Sequence, residues 1–247
     1  MIKDEFFKQV KGNLIVSCQA LEDEPLHGSS IMAKMALAAE MGGASAIRAN
    51  GYQDIKAIRT VTNLPIIGLV KQNYIDSEIY ITPTKKEVDE LIQAGVSIIA
   101  LDATSRKRPN GERLKDLITY IKKKQIGVMG DVSTAAEALK AENLGVDCIG
   151  TTLSGYTHYS PQQAGPDYKL VERLVESVNV PVIAEGKYWI PEEAWHALDL
   201  GAHAVVVGSA ITRPQLITKR FTDYLNTKAG AQHDTEVVGG EFIKRNS

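Results

Sequence analysis

Ala94-Gly95-Val96-Ser97-Ile98-Ile99-Ala100-Leu101-Asp102 closes one helix and opens one strand within a single short stretch. Glycine just past a periodic helical segment takes the left-handed conformation that ends helices without a Cβ penalty. The apolar, β-branched run behind it reads as a strand buried on both faces. The same junction returns as Leu144-Gly145-Val146 and as Leu200-Gly201-Ala202. Helices that end on glycine and feed directly into buried strands imply parallel β/α units.

Working outward, strands are expected at 14–18, 44–49, 65–71, 97–102, 126–131, 148–152, 180–185 and 204–207. Helices are expected at 31–40, closed by Gly42-Gly43, and at 52–61, 85–94, 111–124, 134–143, 168–177, 191–200 and 215–225. This alternation within a 247-residue chain fits a closed (β/α)8 barrel, a TIM barrel. A doubly wound Rossmann sheet is the alternative. It is weakened because the first strand-helix turn, residues 19–28, lacks the G-x-G-x-x-G that a dinucleotide needs. With no interdomain linker in view, residues 1–227 are expected to form one barrel domain. Residues 228–247 follow as an extension without a clear period, to which no chemistry is assigned.

A chain that is 44% hydrophobic and 23% charged, with net charge −2, offers no basic field for nucleic acid or anionic membrane. Met1-Ile2-Lys3-Asp4-Glu5 is charged, and no apolar run approaches the ~20 residues that cross a bilayer. The two cysteines, Cys18 and Cys148, lie inside apolar strands and read as buried reduced thiols, pointing to the cytoplasm. His27, His158, His196, His203 and His233 show no metal-ligand spacing, so no metal is expected.

In such a barrel the polar residues at strand ends converge on one mouth. Here they are Gln19, Arg48, Lys71, Asp102, Asp131, Thr151 with Thr152, Glu185, and Gly208 with Ser209. An aspartate ending a strand is ordinarily a turn former or helix cap, and Asp131-Val132-Ser133-Thr134 contains such a cap. Lys71 and Glu185 differ, because a charge ending an apolar run needs a partner or a purpose. They close the third and seventh strands, four apart, and so approach the barrel axis from opposite sides. That suits inversion of a carbon next to a carbonyl, one group removing a proton and the other returning it. A lysine doing this must be neutral part of the time, with Arg48 or Lys187 as the neighbouring cation that lowers its pKa. Lys71 as a Schiff-base amine, in a lyase or aldolase, remains open, as does a catalytically silent phosphosugar sensor. The long loops 72–84 and 153–160 are candidate lids.

Val205-Val206-Val207-Gly208-Ser209-Ala210-Ile211-Thr212-Arg213-Pro214 carries a strand, a Gly-Ser turn and a helix start. Close backbone approach, free amides, a hydroxyl and a guanidinium fork suit a phosphate. Pro214 fits a first helical position.

Together with Ser17-Cys18-Gln19-Ala20, Ile47-Arg48-Ala49-Asn50, Gly68-Leu69-Val70-Lys71, Gly130-Asp131-Val132-Ser133, Gly150-Thr151-Thr152-Leu153-Ser154-Gly155-Tyr156-Thr157 and Ala184-Glu185-Gly186, this stretch closely resembles the N-acetylmannosamine-6-phosphate 2-epimerases from about residue 11 to 226. The resemblance implies a TIM barrel of the ribulose-phosphate-binding type and interconversion of N-acetylmannosamine 6-phosphate and N-acetylglucosamine 6-phosphate, in amino sugar and sialic acid catabolism, without a cofactor. It implies Lys71 and Glu185 as the catalytic pair and Gln19, Arg48 and Asp131 as sugar contacts, to which Thr152 and Tyr156 are added. It implies Gly186, Gly208, Ser209 and Arg213 as the phosphate site, and a homodimer as the assembly.

Overall fold

A computed structural model describes the backbone of residues 3–240 and the side chains of 4–228. Its strands are β1 (Leu14–Cys18), β2 (Ala46–Asn50), β3 (Ile66–Leu69), β4 (Ile98–Asp102), β5 (Gly127–Asp131), β6 (Cys148–Gly150), β7 (Val182–Glu185) and β8 (Ala204–Val207). All pair in parallel in chain order, and β8 closes on β1. The expected (β/α)8 barrel is therefore the fold, and the open Rossmann order is excluded.

The helices are α1 (Lys3–Val10), α2 (Ser29–Met41), α3 (Tyr52–Arg59), α4 (Lys85–Ala94), α5 (Leu114–Lys123), α6 (Ala135–Leu144), α7 (Tyr168–Ser177), α8 (Pro191–Asp199), α9 (Ser209–Thr212) and α10 (Pro214–Gly240). Gly95, Gly145 and Gly201 take φ of 79°, 95° and 99°, as the repeated junction requires. At the end of α2 Gly42 stays right-handed and Gly43 makes the left-handed step. Thr84 with Glu87 and Thr134 with Glu137 form capping boxes at the starts of α4 and α6.

Apolar side chains form two layers. Ile47, Ile55, Ile58, Leu91, Ile99 and Val128 pack between strands and helices. Ile15, Ile67, Ile98, Met129, Ile183 and Val206 fill the barrel, together with Phe6 and Val10 of α1. α1 has no counterpart in the sequence expectations, because its short charged segment carries only Phe6, Phe7 and Val10 as apolar signal. It is pinned by the His203 carbonyl, which accepts from the Gly12 amide at 2.7 Å, and by the His203 ring at 2.8 Å from the Phe7 carbonyl. Cys18 packs in the outer layer and Cys148 inside the barrel, both as free thiols.

Of the boundaries that differ from the sequence expectation, four shift by enough to matter for the site or the tail. β3 ends at Leu69, so Lys71 lies beyond it in an isolated antiparallel bridge to Ile81. β6 stops at Gly150, leaving Thr151 and Thr152 in the following loop. The fifth helix starts at Leu114, after a 3-10 turn over Pro109–Gly111. α10 continues to Gly240, past the expected helix end near Leu225 and into the segment without a clear period. The rest of the extension, 241–247, falls outside the described residues. Among those described, no helix is long and apolar enough to cross a membrane.

Candidate active site

Alternation along β2 turns Ile47 and Ala49 toward the helices and Ala46 and Arg48 into the barrel. Arg48 is 1% exposed. Its Nη2 donates to Asp131 Oδ2 at 2.5 Å, and its Nη1 lies 3.3 Å from Asp131 Oδ1 and 3.0 Å from Glu185 Oε2. The guanidinium thus ties β2 to β5 and β7 across the barrel. Burial works against its charge, but Asp131 and Glu185 outweigh burial and hold it firmly protonated.

Thr152 completes the network, with Oγ1 2.7 Å from Asp131 Oδ1 and 3.1 Å from Glu185 Oε2. One hydroxyl proton faces two carboxyls, an arrangement that is fully satisfied when Glu185 carries a proton of its own. Burial pushes the Glu185 carboxyl up to about 7, with Arg48 opposing and Asp131 reinforcing the rise. Thr151 fixes the Glu185 backbone, donating from Oγ1 to its carbonyl at 2.8 Å and accepting from its amide at 2.9 Å. Gly150 leaves the necessary room. A Cβ there would lie 2.3 Å from Met129 Cε and 2.7 Å from Asp131 Oδ1.

Lys71 approaches from the other side, its amide donating to Asn50 Oδ1 at 2.9 Å. Burial lowers its pKa to about 8, helped by the Arg213 and Arg48 charges and opposed by Glu185 and Glu24. The neighbouring cations are therefore Arg213 and Arg48. Lys187, the other expected neighbour, donates instead to the Gln163 carbonyl at 2.5 Å, and its Nζ lies 5.4 Å from the Tyr156 ring centroid. Lys187 thus links the β7–α8 turn to the loop after β6.

The β8 end supplies the third part. Gly208 precedes α9, and Arg213 Nη1 donates to Ser209 Oγ at 3.0 Å. The side-on edge of Arg213 is occupied: Nε and Nη2 donate to Glu24 Oε1 and Oε2 at 2.5 and 2.9 Å. Gly186 holds a φ of 116° just after Glu185, a conformation closed to most side chains. Gln19 is buried at the end of β1, with Nε2 donating to Ser17 Oγ at 2.9 Å and Oε1 unpartnered. Tyr156 is 61% exposed, and burial followed by the Glu185 charge raises the pKa of its hydroxyl.

Of the residues expected from sequence, Arg48, Asp131, Thr152 and Glu185 form one hydrogen-bonded network, with Lys71 in electrostatic reach. Gly208, Ser209 and Arg213 cluster beside it. Tyr156 stands apart from the network. Asp102 is a turn former, accepting from Thr104 and pairing with Arg106 at 2.6 Å. The helix cap after β5 is Thr134, which leaves Asp131 free for Arg48. The 72–84 loop is a packed flap, with Ile79 and Ile81 buried and Lys71 bridged to Ile81. Glu24, Asn50 and the role of Thr151 escaped the sequence. Glu24 sits among Glu22 and Asp23, and nothing local separates it from them.

Comparison with known proteins adds a family. A family model described as "Putative N-acetylmannosamine-6-phosphate epimerase" matches residues 32–227. A relative of the corresponding 2-epimerase name from Clostridium perfringens (strain SM101) is 63% identical over 216 residues, covering 87% of this chain and 98% of the relative. One from Clostridioides difficile (strain 630) is 60% identical over 213 residues, covering 86% and 96%. The solved structure of the N-acetylmannosamine-6-phosphate 2-epimerase from Clostridium perfringens matches with a TM-score of 0.88 at 61% identity, covering 88% of this chain and 95% of that one.

Proposed function

Because the chain belongs to the N-acetylmannosamine-6-phosphate epimerase family, we propose that it interconverts N-acetylmannosamine 6-phosphate and N-acetylglucosamine 6-phosphate by moving a proton at C2. Lys71 and Glu185 are the acid and base. A neutral Lys71 with a protonated Glu185, and an ammonium with a carboxylate, hold the same number of protons. In either arrangement one group takes the C2 proton while the other delivers one to the opposite face. Each turnover converts one arrangement into the other. The substrate supplies its own activation, since the C1 carbonyl of the opened sugar acidifies the C2–H bond, so the side chains suffice without a cofactor.

The observation carrying this reading is the tuning of the two groups toward each other. Burial draws Glu185 up to about 7 and Lys71 down to about 8, on opposite sides of one mouth. Arg48 and Asp131 hold Glu185 in place. Gln19, Thr152 and Tyr156 contact the sugar, and Gly186, Gly208, Ser209 and Arg213 take the phosphate. The 6-phosphate anchored at β8 then sets how far C2 lies from the anchor, between Lys71 and Glu185.

Residues 1–227 form the catalytic unit, a span supported by the family match ending at 227. The working assembly is a homodimer, supported by Phe221, Tyr224 and Leu225 standing 63–69% exposed on one side of α10, with Trp195 of α8 67% exposed. The enzyme works in the cytoplasm, where its two free thiols stay reduced.

The test is direct. Purified protein with N-acetylmannosamine 6-phosphate, followed by proton NMR, yields the N-acetylglucosamine 6-phosphate signals. Lys71→Ala lowers kcat by about 10³-fold, the range expected for a lost general acid or base. No conversion by the native protein, or near-native turnover by the variant, would sink the reading.

A further inference from the structure

Arg213 holds the wrong anion for its proposed task. Its Nε–H and Nη2–H are the parallel pair that grips a phosphate side-on, and both are spent on Glu24 at 2.5 and 2.9 Å. Its third donor goes to Ser209. Glu24 comes from the β1–α2 loop, 189 residues away in the chain. The loop is shaped to present it: the Leu21 amide donates to Glu24 Oε2 at 2.9 Å, the Glu24 amide donates to the Leu21 carbonyl at 2.9 Å, and Gln215 Nε2 lies 3.4 Å from Oε1. Both partners are partly accessible, at 24% for Arg213 and 16% for Glu24. The pair is thus within reach of an incoming anion, and the loop has few other ties to the fork.

We propose that Glu24 is a specificity-determining residue whose carboxylate occupies the Arg213 fork as an internal stand-in for phosphate and screens free inorganic anions out of the site. This rests on the reading of Arg213 as a phosphate-binding residue. A carboxylate and a phosphate seated on the side-on edge need the same two N–H groups, and both are negative, so they exclude one another on that edge. Inorganic phosphate must displace Glu24 with only the Gly186, Gly208 and Ser209 contacts to offset the loss. A sugar phosphate brings further contacts at Gln19, Thr152 and the Lys71–Glu185 mouth, and these drive the exchange. Discrimination comes from a built-in competitor that weakens every anion equally, leaving only those with a second attachment point able to bind. The pair also lies within electrostatic reach of Lys71, so the exchange alters the charge that Lys71 faces.

The experiment titrates inorganic phosphate into substrate-free native protein, Glu24→Gln and Glu24→Ala by calorimetry. In parallel, KM for the sugar phosphate is measured in native protein and Arg213→Ala. If Glu24 fills the fork nine times in ten, releasing it tightens phosphate binding about tenfold, since apparent affinity scales with the competent fraction. A gain of binding cannot arise from a damaged fold. Unchanged or weaker phosphate binding in both Glu24 variants overturns the screening role. An Arg213→Ala variant with native KM overturns the phosphate-site reading beneath it, and the screening role with it. A raised KM in Arg213→Ala, with no gain in the Glu24 variants, removes the screening role alone.

Discussion

Two arginines in this barrel grip carboxylates with two N–H groups each, Arg48 end-on through Nη1 and Nη2 and Arg213 side-on through Nε and Nη2, and their surroundings differ. Arg48 is 1% exposed and its partner Asp131 0%, both on strands. Arg213 and Glu24 are 24% and 16% exposed, both in segments outside the strands. A pair sealed between strands is shielded from solvent and ties β2 to β5 across the barrel. A pair in loops at the rim is open to exchange with solvent, as the proposed phosphate site requires. Placement relative to the strand ladder, more than residue type, decides whether a guanidinium is shielded or exchangeable.

Breaking the sealed pair has the largest expected effect. Arg48→Met leaves Asp131 and Glu185 buried without a cation, and removing one member of such a network costs about 3–5 kcal/mol of stability. Thermal denaturation reads this as a large fall in Tm, accompanied by loss of turnover because Glu185 is no longer held. Breaking the rim pair is milder. Arg213→Ala keeps a near-native Tm, since a partly exposed ion pair contributes ~1 kcal/mol or less, and raises KM for the sugar phosphate about tenfold or more, the value of a lost charge-assisted contact. Equal losses of stability in the two variants would erase the contrast.

The smallest effect is on pH. Below about 7 the Glu185–Lys71 pair gathers two protons and has no base; above about 8 it loses both and has no acid. Activity needs the single-proton form, so kcat/KM follows a bell with its acid limb set by deprotonation of the carboxyl and its alkaline limb by that of the amine. Between pH 7.5 and 6.5, kcat/KM falls about threefold. A profile flat from pH 6 to 9 would separate the catalytic pair from these two groups.

The barrel was legible because its information is local. Each Gly95-type junction marks a helix end and a strand start within a few residues, and eight short buried strands leave few alternatives to closure. The placement of Lys71 and Glu185 at one mouth was legible for a related reason, since a charge ending an apolar run of sequence stands out against its own neighbours. The pairing of Arg48 with Asp131 was not. β2 and β5 do not neighbour one another, and only closure brings residues 83 apart in sequence to one point. Asp131 also had a local explanation as a helix cap, which Thr134 in fact supplies. Glu24 was hidden most completely, because its partner lies across the β8–β1 seam and its own loop holds three acids in a row. α1 was missed because its value lies in where Phe6 and Val10 land under the barrel, and no periodicity records that.

The central claim is that a proton leaves C2 and a different one arrives on the other face. Epimerisation of N-acetylmannosamine 6-phosphate in deuterated water tests it most directly, with the product examined by NMR and mass spectrometry. The two-group mechanism predicts N-acetylglucosamine 6-phosphate carrying deuterium at C2 from the first turnover, with little label in unreacted substrate at early times. Product that retains its original hydrogen at C2 would contradict it.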